Sequence, residues 1–390
     1  MTGQADVRPG GSDGPIYLFA GGGTGGHLYP ALAVAGELVR RQPAARVVFA
    51  CSNRPIDRHI LDAQPYGVVP QPVRPIPRGP RGWWGFWRAW RESRRLARDL
   101  IADLNPRAVL GLGGFAAGPL VHQAARADIA TALLNPDAVP GRANRFLARR
   151  VDVIFAQYRS TIERFPSSLA GKVRAVGCPV RAELRNVSRE AAMAFFALDG
   201  ARRTLVINGG SQGAATINQA ALLLADDLAP LAGSWQVLHI TGKGWSAPPA
   251  PARAGGIAVR RVEYCDRMDL AYAAADLLLG RAGASTTAEL AATGTPAVLM
   301  PYPYHKDQHQ RLNARSMIEM AAPGESAPAI ICEDHKDAGL NAATLRALLL
   351  PLLADSVALA QMRRSAQTLP GADAAAVVAQ WLVDAGGGAG

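Results

Sequence analysis

The segment Gly21-Gly22-Gly23-Thr24-Gly25-Gly26-His27 puts a glycine run, a hydroxyl and an imidazole side by side. Glycines let a backbone turn sharply and approach a ligand closely, and the amides at a helix N-terminus attract anions, so this stretch has the makings of a phosphate site. His27 adds a group that moves protons near neutral pH. A second loop of the same kind reads Gly209-Gly210-Ser211-Gln212-Gly213-Ala214. Two further glycine junctions, Gly111-Leu112-Gly113-Gly114-Phe115 and Gly280-Arg281-Ala282-Gly283-Ala284-Ser285, extend the series.

Each loop follows a short apolar run, at residues 16–20, 204–208, 108–110 and 276–279. Helical patterns follow, one from the Ala/Leu alternation after Pro30 and one from Ala215 onward. Strand-like runs alternating with helices predict an α/β fold of doubly wound, parallel-sheet units. The order of strand, glycine loop and helix begins at residue 16 and restarts at 204, which predicts two Rossmann-like domains facing a central cleft. Loops at the carboxyl ends of parallel strands are where such sheets bind ligands. The expected division is a disordered tail at 1–14, domains at 15–180 and 181–370, and a C-terminal helix with a Gly-rich tail at 371–390 packing back toward the first domain. Gly21-x-Gly23-x-x-Gly26 is also a dinucleotide pattern. The next strand, 46–50, ends in Cys51-Ser52-Asn53 with no carboxylate for an NAD ribose, which argues against that use.

With 390 residues, 49% of them hydrophobic, the chain has material for two cores. No apolar run reaches the roughly 20 residues of a bilayer span, and 1–14 lacks a signal-peptide core, so a cytoplasmic location is expected. Cys51, Cys178, Cys265 and Cys332 form no C-x-x-C pair and read as reduced and structural. The net charge of +11 calls for an anionic partner. It concentrates where Arg78, Arg81, Arg88, Arg91, Arg94, Arg95 and Arg98 surround Trp83, Trp84, Phe86, Trp87 and Trp90, a segment holding four of the seven tryptophans. Indoles favour the headgroup level and arginines favour anionic lipid, so the element reads as a peripheral docking site on an anionic membrane surface. An Arg-faced helix with its aromatics in the core, and single-stranded nucleic-acid stacking, are the alternatives; the preferred reading involves no nucleic acid.

These motifs together resemble the MurG family of peripheral membrane glycosyltransferases. The resemblance rests on GGTGGHLYPALAVA from Gly22, GLGGFAAGP from Gly111, DAVPGRANRFLA from Asp137, GCPVR from Gly177, GGSQGA from Gly209, RAGASTTAELAA from Arg281 and KDQHQRLNA from Lys306, in that order. It implies a GT-B fold and inverting transfer of N-acetylglucosamine (GlcNAc) from UDP-GlcNAc to undecaprenyl-diphospho-MurNAc-pentapeptide at the cytoplasmic face of the cell membrane. It further implies no cofactor and no metal, in keeping with the lack of an Asp-x-Asp motif, and other cell-wall synthesis proteins as further partners.

By the same resemblance, Thr24, Gly25, Gly26, His27, Gly113 and Gly114 hold the acceptor diphosphate. Thr24, Asp137, Arg181, Ser211, Gln212, Cys265, Arg281, Ala284, Glu289, His309 and Gln310 serve the donor. Within the donor set Glu289 takes the ribose hydroxyls, His309 and Gln310 the GlcNAc hydroxyls, and the backbone at Tyr264 and Cys265 the uracil. Thr286-x-x-Glu289 also reads as a helix capping box, and Arg281 either orders its loop or touches the nucleotide. His27 is a candidate base for the acceptor hydroxyl or a diphosphate ligand. The chain departs from the family at Leu134-Asn135-Pro136-Asp137, where His-Glu-Gln-Asn is usual. A carboxylate there only accepts hydrogen bonds, so Asp137 is a second candidate base. Cys178 stands where the family's G-N-P-V-R motif has asparagine. A UDP-GlcNAc 2-epimerase of the same fold, a transferase with another lipid acceptor and a non-catalytic nucleotide or lipid binder are the competing readings.

Overall fold

The computed structural model describes residues 14–77, 79–210, 213–245, 255–371 and 373–387. The expectations placed on the N-terminal tail, Arg78, Ser211, Gln212 and the last three residues lie outside that set. The chain divides into two compact units, one running to Arg181 and resuming at Gly371, the other spanning Ala182–Pro370.

In the first unit β1 (Ile16–Gly21), β2 (Arg46–Ser52), β3 (Gly67–Gln71), β4 (Ala108–Gly113), β5 (Ala130–Asn135), β6 (Val153–Ala156) and β7 (Val173–Ala175) form one parallel sheet in the order 3-2-1-4-5-6-7. In the second, β8 (Arg203–Asn208), β9 (Trp235–Ile240), β10 (Ala258–Val262), β11 (Leu277–Gly280), β12 (Ala297–Leu299) and β13 (Ala329–Ile331) pair in the order 10-9-8-11-12-13. Each is a Rossmann-like doubly wound sheet. Strand order reverses between β1 and β4 in one and between β8 and β11 in the other, and such switch points are where open parallel sheets take ligands. All four glycine junctions leave these four strands.

Central strands are buried on both faces, so they read as unbroken apolar runs rather than alternating ones. Phe19, Phe49, Leu110 and Phe155 belong to one buried cluster with residues of the helix Gly25–Arg41, and Leu205, Ile207, Val237 and Leu279 belong to the corresponding core of the second unit. After Pro370 the chain returns to the first unit. The C-terminal helix Ala374–Gly387 sets Val378, Ala379 and Leu382 into that core, and Trp381 meets Phe155 edge-on with ring centroids 6.0 Å apart. At the crossing the backbones of Gly177 (φ 89°) and Gly371 (φ 114°) pass so closely that a Cβ on Gly177 would lie 2.5 Å from Gly371 Cα. A side chain is excluded at that point by both space and backbone conformation.

The Trp/Arg segment forms the helix Trp83–Leu104. Its small residues Ala89, Ser93 and Ala97 are buried, which lets it lie close against the helix Ala117–Arg126. Trp84 is 75% exposed and Trp87 52%. Trp90 is turned inward: Gly118 lies beneath its ring, Phe146 meets it edge-on and His122 is tilted against it. Trp90, half-buried, therefore shares in the packing of the helix.

Candidate active site

The helix that carries His27 starts at Gly25, inside the glycine loop and five residues before Pro30. Pro30 sits inside the helix, and Thr24 is the extended residue before it. Glycine-rich helix starts hide from sequence patterns because the usual signals, a capping side chain and an apolar repeat, are missing. Thr24 is exposed and its hydroxyl caps no amide, which leaves the first-turn amides of Gly25 and Gly26 without an intrahelical acceptor. These amides and that hydroxyl form the anion-seeking edge of the loop.

The Gly23 amide does not share in it. It donates to both oxygens of Asp57, at 2.7 and 2.9 Å, and the same carboxylate accepts from Ser52 N at 3.2 Å and Ser52 Oγ at 2.5 Å. Asp57 is fully buried. Arg54 closes over the loop, donating to Gly23 O at 3.1 Å with its guanidinium 5.2 Å from the centre of the Phe115 ring.

His27 stands in the first helical turn with its ring against the β4 loop. A Cβ on Gly113 would meet its Cε1 at 3.3 Å, and one on Gly114 would meet its Cδ2 and Nε2 at 3.5 Å. Both glycines also have positive φ, 88° and 71°, so the imidazole is covered by backbone that only glycine supplies comfortably. His27 Nδ1 is inaccessible and without a hydrogen-bond partner among the described residues. Burial lowers the imidazole pKa below the ordinary histidine value, and the charges of Asp137 and Asp57 pull it back up. Asp137 is itself fixed from behind. Asn135 donates to its carbonyl at 2.7 Å, and Asn144 donates to Leu134 O and Asn135 Oδ1, both at 3.0 Å. Arg181 lies over the face of Tyr29, 4.7 Å from the ring centre, at the last residue of this unit's first stretch.

In the second unit the loop after β8 is shaped by Asn208, whose Oδ1 accepts from Gly210 N at 2.8 Å. The helix Ala284–Thr293 has Gly283 as its N-cap, so Thr286 and Glu289 lie within it and the capping-box reading is corrected. Glu289 Oε2 instead accepts from the Tyr272 hydroxyl at 2.8 Å. Arg281 is buried and occupied. It donates to Asp334 Oδ2 at 2.7 Å, to Thr216 Oγ1 at 2.8 Å and to the carbonyls of Met300 and Pro301. Burial alone would raise the Asp334 carboxyl, but hydrogen bonds from Thr216, Asn341, Arg281 and the Lys336 amide hold it below the usual range. Of the two roles open to Arg281, the structure displays loop ordering.

His309 opens the helix His309–Glu319 with Nδ1 2.8 Å from Asp307, and Gln310 Oε1 accepts from Tyr302 N at 2.9 Å. Asn313, one turn on, is buried and donates to Ala282 O at 3.2 Å, tying this helix to the Arg281 loop. Burial pushes the Cys265 thiol up to about 11, so it stays protonated at neutral pH. Glu289, His309, Gln310 and Ala284 thus share the β11 side of the second sheet, while Thr24, His27, Gly113, Gly114 and Asp137 gather at the switch point of the first.

Residues 17–156 match the glycosyltransferase family 28 N-terminal domain and residues 204–378 its C-terminal domain. The protein of Leifsonia xyli subsp. xyli named "UDP-N-acetylglucosamine--N-acetylmuramyl-(pentapeptide) pyrophosphoryl-undecaprenol N-acetylglucosamine transferase" is 38% identical over 361 residues, 90% of this chain and 94% of that protein. The chain belongs to the MurG family of glycosyltransferases. The same-named protein of Nocardioides sp. is 36% identical over 95% of this chain and 98% of its own length. The crystal structure of Acinetobacter baumannii MurG, 24% identical with a TM-score of 0.69 over 95% of this chain and 99% of that one, has the same fold.

In this glycosyltransferase the residues that sequence reasoning missed are those acting across the chain: Asp57 and Arg54 on the first glycine loop, Tyr272 on Glu289, and Asp334 on Arg281. Only Asp57 left a local trace, as an acidic residue soon after β2, and its inward direction was not readable.

Proposed function

We propose that this glycosyltransferase moves GlcNAc from UDP-GlcNAc to undecaprenyl-diphospho-MurNAc-pentapeptide, inverting the anomeric centre without a metal. The observation that carries the reading is the identity of 32–38% with transferases of that name over at least 90% of this chain. In the proposed step His27 accepts the proton of the acceptor sugar hydroxyl as its oxygen bonds to the anomeric carbon. The bond from that carbon to the UDP oxygen breaks on the opposite face, and UDP leaves with the electron pair. An imidazole kept neutral by burial is in the right form to take that proton. The amides of Gly25 and Gly26 and the Thr24 hydroxyl suit the acceptor diphosphate, and the Glu289 carboxylate suits ribose hydroxyls because it offers only acceptors. UDP-GlcNAc 2-epimerase structures, 11% and 13% identical, share the fold alone.

The test is transfer of labelled GlcNAc from UDP-GlcNAc to a short-chain diphospho-MurNAc-pentapeptide lipid, with and without EDTA. A β-linked disaccharide formed undiminished in EDTA is expected. An α-linked product, turnover lost on chelation or UDP binding without transfer would each overturn part of the proposal.

Among the described residues no single helix is long and apolar enough to cross a membrane. We place the enzyme peripherally on the cytoplasmic face, docked through the exposed Trp83, Trp84 and Trp87 with Phe86, Arg88 and Arg91. Each arginine near an anionic surface contributes about 1 kcal/mol, added to the burial of the indoles. The double substitution Trp84→Ser/Trp87→Ser, which spares the packed Trp90, is expected to release the protein from phosphatidylglycerol vesicles and leave UDP binding intact. Undiminished vesicle binding would refute the docking site.

A further inference from the structure

The loop before the helix His309–Glu319 gathers side chains that the transfer step does not need together. His305 and Asp307 are exposed, and His309 is half-buried. The His305 and His309 rings stack with centroids 4.3 Å apart, and Asp307 Oδ1 lies 2.8 Å from His309 Nδ1. One donor atom from each of the three residues lies within 4.8 Å of the other two. In an extended segment alternate residues share a face but stand roughly 7 Å apart. The convergence comes from Gln308, which adopts φ 47° and ψ 31°, a left-handed conformation disfavoured for a side chain of its kind. That turn folds residue 309 back over 305 and 307.

We propose that His305, Asp307 and His309 form a binding site for one zinc-class divalent ion. Two imidazoles and one carboxylate are the donor set of zinc and its borderline neighbours, and three protein ligands leave a coordination position for water. Magnesium and calcium want more oxygen donors than this loop supplies. The cations nearby, Lys306 in the loop and Lys336 above the Tyr304 ring at 4.9 Å, also oppose a site held by charge alone. On binding, the His305 ring leaves its stack with His309 and turns a ring edge toward the ion. When the ion takes His309 Nδ1, the ring proton resides on Nε2. The ion is no part of transfer. Where His309 serves the donor sugar, as proposed above, ion and donor compete for it, and that consequence alone rests on the functional reading.

Calorimetric titration of the untagged, metal-stripped full chain with ZnCl2, repeated with CoCl2 and followed by visible absorption, tests the site without any substrate. One ion per chain is expected, with a cobalt spectrum of a four- or five-coordinate site and no displacement by excess MgCl2. His305→Ala and Asp307→Ala, both at exposed positions, should each weaken zinc binding at least about tenfold with unchanged circular dichroism. Equal affinity in both variants would put the ion elsewhere, at the cysteines for example, and overturn the proposal, as would no binding by the wild type. Wild-type protein that binds one zinc ion as expected yet transfers no GlcNAc would refute the functional reading and leave the metal site standing.

Discussion

His27→Ala is expected to lower transfer turnover by about 10² to 10⁴, the range spanned by loss of a positioned general base, with UDP binding unchanged. The argument starts from the ring's surroundings. Gly113 and Gly114 cover it, its Nδ1 has no partner among the described residues, and two carboxylates act on it. Burial is the largest influence and lowers its pKa, so the neutral, proton-accepting form persists to lower pH than in a free histidine. Transfer should then rise with pH through an acid limb lying below about 6.5, the ordinary histidine value. Asp137 acts in the opposite sense, raising the pKa by its charge. Asp137→Asn is therefore expected to move the acid limb to still lower pH. An unmoved or upward-shifted limb would remove Asp137 from the electrostatics of the base. If His27 instead holds the acceptor diphosphate, His27→Ala and His27→Gln raise the lipid KM and leave kcat largely intact. The split between the two constants distinguishes the roles.

The frame of this enzyme was legible because parallel strands buried on both faces must be apolar throughout, and because each switch-point strand ends in glycine or, for β8, is followed directly by it. The sequence positions of the four loops thus located the switch points of both sheets. Helix starts were less readable. At Gly25 the loop glycines leave the exact first residue unmarked, and at Gly283 a glycine N-cap let Thr286 and Glu289, already inside the helix, pass for a capping box. Side-chain direction on a helix was illegible for a different reason. Trp84, Trp87 and Trp90 share a composition with their arginine neighbours, and only the small Gly118 on another helix makes room for one of them. The remaining site residues depend on contacts between distant positions. Arg281 meets Asp334 across 53 residues and Tyr272 meets Glu289 across 17, separations at which local pattern carries no information.

The contact between Gly23 and Asp57, 34 residues apart, has the largest expected effect on the architecture of the site. Asp57→Ala leaves the Gly23 amide, the Ser52 amide and the Ser52 hydroxyl buried without their acceptor. At about 1–3 kcal/mol for each unsatisfied buried donor, and with some relaxation of the loop, a loss near 4 kcal/mol is expected, read as a lower urea midpoint at unchanged slope. Asp57→Asn should cost about half as much, since its amide oxygen still accepts while its NH2 opposes one of the donors. The two variants separate structure from electrostatics. Both release the glycine loop and should raise the lipid KM, because the Gly25 and Gly26 amides lose their fixed direction. Both also remove a charge that raises the His27 pKa, so both should shift the acid limb of transfer downward, as Asp137→Asn does. Glutamate is no substitute: a Cβ on Gly22 would already lie 2.5 Å from Asp57 Oδ2, so there is no room for another methylene. A midpoint and a pH profile both unchanged in Asp57→Asn would show that the carboxylate neither pins the loop nor acts on His27. A lowered midpoint with an unchanged profile would confine Asp57 to holding Gly23, and would leave Asp137 as the carboxylate that tunes the base.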